Sequence, residues 1–128
     1  THMIRVPDSG RFELRLMDGS SNPYLLQAGV IAAGLHGLNN KVDPGEPLSC
    51  NMYTDYKNYP NLKKLPDEIE DALDFLKNSK ELKEAFGEDV INSYIKLKNM
   101  EIEDFNKNDR FDKKSSVTDW EKNSTLDC

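Results

Sequence analysis

At 128 residues, with 31% charged and 37% hydrophobic side chains, the chain is one domain's worth of sequence with a modest core, much of it surface or dependent on neighbours for burial. A net charge of −6 and the lack of any basic cluster argue against nucleic acid, whose phosphates demand a positive footprint, and against an anionic membrane leaflet. The two cysteines, Cys50 and Cys128, make neither a disulfide framework nor a metal motif, which fits a reduced, cytoplasmic setting.

Taken in order, Thr1-His2-Met3 reads as a tag remnant and is set aside. The chain then enters directly on a strand candidate, Ile4 to Val6, in the manner of an excerpt from a longer protein. Pro7-Asp8-Ser9-Gly10 is a turn, and Arg11 to Leu16 alternates strictly. Arg11, Glu13 and Arg15 fall on one face of an extended segment, and Phe12, Leu14 and Leu16 on the other. After an Asp18-Gly19-Ser20-Ser21 turn, Asn22 is placed to cap a helix with Pro23 at its first position. That helix runs to about Leu38 and is apolar on nearly every side, so it belongs in a core or against partners. Its apolar window, Leu25 to Leu38, falls short of the roughly 20 residues a membrane span needs.

From Leu48 to Lys64 the composition predicts an irregular polar loop. Pro66 is expected to open a helix with Ile69, Ala72, Leu73 and Leu76 inside. Ser79 is placed to cap a second helix that Gly87 ends, and a third runs from Glu88 to about Lys107 with Ile91, Ile95, Ile102 and Phe105 as its inner stripe. The remainder carries charges and Trp120, an aromatic anchor for the tail, without a clear period. The expected fold is α+β: short antiparallel strands, then a mostly helical carboxyl-terminal region. The expected division is residues 4–62 and 63–128.

The charged strand face admits two readings. One is an ordinary solvated face. The other is a site, in which two guanidiniums clamp phosphate or carboxylate and the carboxylate between them holds a hard metal ion. Pattern alone does not choose.

Several motifs in one order bear on that choice: Ile4-Arg5-Val6-Pro7, Arg11-Phe12-Glu13-Leu14-Arg15, Asp18, Asn22-Pro23-Tyr24-Leu25, Ala33-Gly34-Leu35 and Asn40-Lys41-Val42-Asp43-Pro44-Gly45-Glu46. Together they resemble the end of the catalytic domain of glutamine synthetase. The resemblance implies that the strands extend a larger catalytic sheet, and that the full-length protein is a glutamate–ammonia ligase. In that family ATP phosphorylates the side-chain carboxylate of L-glutamate, and ammonia displaces the phosphate. Carried over by motif, Glu13 would be a Mg2+ or Mn2+ ligand. Arg15 would hold glutamate or the moving phosphoryl group, Arg5 would contact ATP phosphates, and Arg11 would be a secondary anion contact. The family also implies a ring of copies of the same chain, with carboxyl-terminal segments clasping neighbours.

The match has departures. Pro7 to Gly10 is short and lacks a lysine that touches nucleotide in some relatives. His36 stands where many relatives carry Asp and reads as a helix-end residue, since no second donor lies at helical spacing. Tyr53 falls where some bacterial members carry a nucleotidylated tyrosine, but the residues after it depart from that pattern and an ordinary loop tyrosine is the simpler reading. One glutamate cannot hold a catalytic metal, so the fragment alone is expected to be inactive. Three alternatives stay open: a glutamate–amine ligase such as γ-glutamylmethylamide synthetase, a non-catalytic interaction module on the same fold, and an acidic helical adaptor resting on residues 65–128.

Overall fold

A computed structural model describes residues 3–108 and 117–125. Two antiparallel strands, β1 (Ile4–Asp8) and β2 (Arg11–Leu14), form a hairpin closed by Ser9 and Gly10, the latter at φ +77°. Asp8 pairs with Arg11, whereas Arg5 pairs with Glu13 and Ile4 with Leu14. Between these two registers Val6 and Pro7 oppose Phe12 alone, so β1 carries a bulge. Proline has no N–H to give to a ladder, and a bulge is one of the few places a strand tolerates it.

Asn22 caps α1 (Pro23–Asn39) as expected, its side chain accepting from the N–H groups of Tyr24 and Leu25. The helix ends where Lys41 enters the left-handed region at φ +51° and the Val42 N–H donates to the Gly37 carbonyl. The stretch expected as an irregular loop holds a short helix, α2 (Met52–Asp55), followed by a 3-10 turn at Tyr56–Asn58. Asn51 nucleates it by accepting from the Tyr53 N–H, a cap that periodicity does not register.

The next helix, α3 (Ile69–Asn78), starts three residues beyond the expected Pro66, because Glu68 is still extended at φ −117°, ψ 151°. Ser79 caps α4 (Lys80–Phe86) by accepting from the Leu82 N–H, and Gly87 breaks the chain before α5 (Glu88–Asn108). A final helix, α6 (Asp119–Thr125), was not expected. Its start is a reciprocal cap: the Glu121 N–H donates to Thr118 Oγ1, and the Thr118 N–H donates to a Glu121 carboxylate oxygen. Trp120 anchors it, donating from Nε1 to Asp104 at 2.7 Å and meeting Phe105 edge-on at 5.3 Å.

Among the described residues the main helix packing sets α1 on α4, α4 on α5, and α3 on α5. Among the described residues only Leu73 and Ile91 are buried apolar side chains. The helix α1 is therefore not buried within this chain: Ile31 is 61% exposed and Leu38 76%, and Leu25 and Leu35 are also open. No described helix is long and apolar enough to cross a membrane.

Gly87 sits at φ +84°, ψ 146°, close to a region that L-residues shun, with open space where a Cβ would lie. Gly87→Ala should therefore cost about 1–3 kcal/mol through backbone strain alone, read by chemical unfolding of the full-length protein.

Candidate functional site

The charged residues singled out from the strand meet on one face of the hairpin. Arg11 and Glu13 alternate along β2. Arg15 follows in the same register, its N–H donating to the Met3 carbonyl at 2.9 Å. Arg5 reaches this face because of the bulge. Unbroken pairing from Asp8 and Arg11 would have set Arg5 opposite Leu14; the extra residue in β1 sets it opposite Glu13.

Both oxygens of Glu13 are engaged. Arg11 Nη2 donates to Oε1, Arg5 Nη1 donates to Oε2 at 3.2 Å, and Arg15 Nη2 lies 3.5 Å from Oε2. The Glu13 side chain is 26% exposed, while the side chains of Arg5, Arg11 and Arg15 are 53%, 62% and 41% exposed. Three guanidiniums meet one carboxylate here, with Asp8 opposite Arg11 across the strands, so the face keeps a net positive charge. Each guanidinium carries five N–H donors in a planar fork, so most remain available for carboxylate or phosphate oxygens. The hydrogen bond from Arg11, followed by that from Arg5 and the charges of Arg5 and Arg15, holds the Glu13 carboxyl below its ordinary value of 4.5 despite an opposing desolvation.

A carboxylate is a hard donor suited to Mg2+ or Mn2+. Among the described residues no three His, Cys, Asp or Glu side chains converge on a metal position. The hairpin thus fits as the source of one carboxylate ligand, the others coming from elsewhere.

The remaining candidates lie outside this cluster. His36 is exposed in the last turn of α1, where the Asn40 side chain contacts its ring at 3.2 Å and its carbonyl at 2.8 Å. Tyr53 is exposed in α2. Cys50 is a half-buried free thiol, and Cys128 lies outside the described residues. A cavity of about 290 Å³ between the start of α1 and helices α4 and α5 is lined mainly by apolar residues, including Leu25, Leu82, Phe86 and Ile91, and none of the hairpin lines it. Its polar lining is limited to Ser21, Asn22 and Tyr94, with no His, Cys, Asp, Glu, Lys or Arg side chain.

The family model described as Glutamine synthetase, catalytic domain, matches residues 1–123. The chain belongs to the glutamine synthetase catalytic-domain family. Similar proteins include a glutamine synthetase of Rhizobium meliloti (strain 1021), 46% identical over 99% of this chain, and a glutamate–methylamine ligase of Methyloversatilis universalis, 39% identical over 98%. A solved structure described as a GmaS/ADP complex in conformation 1 superposes on all of the chain with a TM-score of 0.78 at 38% identity. The chain spans about a quarter of each of these, 27% of their lengths. Its two antiparallel strands and predominance of helix match that part of the glutamine synthetase catalytic domain.

Because the folded chain holds the Glu13 carboxyl below 4.5, its pairing contributes fully to stability above that pH, and the contribution is lost as pH falls through the lowered value. Arg11→Gln should move the Glu13 titration back up toward 4.5, read by carboxyl-carbon NMR.

Proposed function

We propose that the full-length protein carrying this chain is an ATP-dependent glutamate–ammonia ligase, in which the hairpin supplies part of the site for phosphoryl transfer to L-glutamate. The observation that carries this reading is the Glu13 carboxylate ringed by Arg5, Arg11 and Arg15 on a strand pair of a glutamine-synthetase-type catalytic domain. Glu13 is assigned as one ligand of a Mg2+ or Mn2+ ion. Arg5 is assigned to ATP phosphates, Arg15 to glutamate or the moving phosphoryl group, and Arg11 to a secondary anion contact. The ADP named for the similar solved structure supports a nucleotide ligand.

Phosphoryl transfer asks a protein mainly for positioning and for charge placed where the phosphate oxygens gather. The guanidinium forks meet both demands: they offer paired donors and bring positive charge in advance of the substrate. A divalent ion, when bound, adds charge neutralisation at the same oxygens. Glu13 holds the arginines together on one face, which fixes the direction in which their free donors point.

The open apolar faces of α1 support burial against the rest of the catalytic domain and other copies of the chain in a ring-shaped homo-oligomer. The free thiol of Cys50 suits a reducing, cytoplasmic compartment. Tyr53 is open enough for modification, yet an exposed tyrosine needs no such role. Ligation of methylamine is the second reading, favoured by the 39% identity to a glutamate–methylamine ligase.

In the full-length protein, Glu13→Gln and Arg15→Gln should each lower kcat by about 10²- to 10³-fold in an assay of glutamate-dependent phosphate release from ATP. Running the assay with ammonium and then methylamine separates the two amine readings. Release with neither amine, or a Glu13→Gln protein as fast as wild type, would remove the proposal. The chain by itself, with one carboxylate ligand, is expected to show no turnover.

A further inference from the structure

The helix α3 turns two different faces outward and inward. On the packed side Leu73 is buried and Leu76 half-buried. Phe75 follows Leu73 by two positions, which at 3.6 residues per turn carries it about 200° round the helix. It therefore points away from the packed side and is 69% exposed. Asp71, Asp74 and Asn78 share its face, the four residues standing at i, i+3, i+4 and i+7.

The chain just before α3 supplies a second wall. Residues 64–67 and this face of α3 line an open groove of about 480 Å³. Its apolar surface comes from Phe75, Pro66 and Leu65, the last 58% exposed. An aromatic ring and a leucine open to solvent in one groove form a patch, unlike apolar residues scattered singly over a surface. The charge of the groove is one-sided. Asp67, Asp71 and Asp74 line it against one cation, Lys64, and among the described residues none of these four side chains forms an ion pair. An incoming cation thus breaks no existing pair when it reaches them.

Charge also selects the occupant. A second copy meeting this face with its own would set carboxylates against carboxylates. Nucleic acid and anionic membranes bring still more negative charge. A polypeptide with positive charge around an apolar side chain complements both halves of the groove. We propose that the groove between residues 64–67 and α3 docks a basic peptide segment of a partner protein. Its aliphatic or aromatic side chain lies against Phe75 and Leu65, and its flanking Lys or Arg residues meet Asp67, Asp71 and Asp74. The exposed ring is the anchor, and the carboxylates steer and orient the segment. No hairpin residue lines the groove, so docking here is separate from the chemistry assigned to Glu13 and its arginines.

The test follows the fluorescence anisotropy of a labelled synthetic peptide, a leucine between two pairs of arginines, titrated with the full-length protein. A counterpart with glycine for leucine is the control. Wild type should bind the leucine peptide more tightly than the glycine one, and added salt should weaken both. Phe75→Ala changes no charge and removes an exposed ring, so it should fold as wild type does and bind the leucine peptide about tenfold more weakly. Asp71→Asn/Asp74→Asn should bind more weakly and with a flatter salt dependence. Glu84→Gln/Glu103→Gln, an equal loss of charge at exposed positions of α4 and α5, should bind as wild type does. Binding that Phe75→Ala leaves unchanged, or that both double variants weaken alike, is general attraction to an acidic protein and overturns the proposal. No binding by wild type overturns it too, as when the rest of the full-length chain fills the groove. Self-association abolished by Phe75→Ala, without peptide binding, overturns it in favour of a second copy.

Discussion

The site depends on one carboxylate keeping three guanidiniums together. Arginines at alternate positions of a lone strand would repel one another and spread into solvent; a half-enclosed acceptor between them turns repulsion into a fixed arrangement. Backbone geometry makes this available at little cost. Alternation brings Arg11, Glu13 and Arg15 to one face, and a single extra residue in the facing strand adds Arg5. In water such exposed ion pairs contribute little to stability, so their value lies in where they hold charge.

The helices follow a different logic. Three of them are well specified at their starts, α1 by Asn22, α4 by Ser79 and α6 by the Thr118–Glu121 pair, and α1 and α4 are ended at Lys41 and Gly87, whereas α3 begins at Glu68 without a side-chain cap. Yet the interior they enclose is small, with Leu73 and Ile91 as its buried apolar residues. A helix such as α1, apolar around most of its circumference, packs mainly against α4 among the described residues and keeps much of its surface open. Local capping and tertiary burial are separable sources of helical order, and this chain is much richer in the first than in the second.

Legibility from the sequence divides along the same line. The strand pair, the Asn22 cap with Pro23, the Ser79 cap and the Gly87 break were readable because each is a short-range rule with a named residue. The α2 helix was hidden because it has too few residues to show a period, although Asn51 stood ready as its cap. The α6 helix was hidden likewise, although Thr118-Asp119-Trp120-Glu121 spells a capping box. Pro66 was read one turn too literally: proline suits a helix start, but Glu68 remains extended and the helix waits for Ile69. At the site, all four charged residues could be singled out from motif and alternation, while their common contact could not. Whether Arg5 met Leu14 or Glu13 turned on a register shift, and a bulge is a property of two strands together rather than of either alone.

The contact that docks α6 has a practical side. Trp120 is the chain's one tryptophan, and its indole N–H is bound to the Asp104 carboxylate beside the ring of Phe105. Ultraviolet emission from this chain's indole thus originates at a single seam, where α6 rests on α5. An optical probe of the carboxyl-terminal end is built into the native chain, free of dyes and labels.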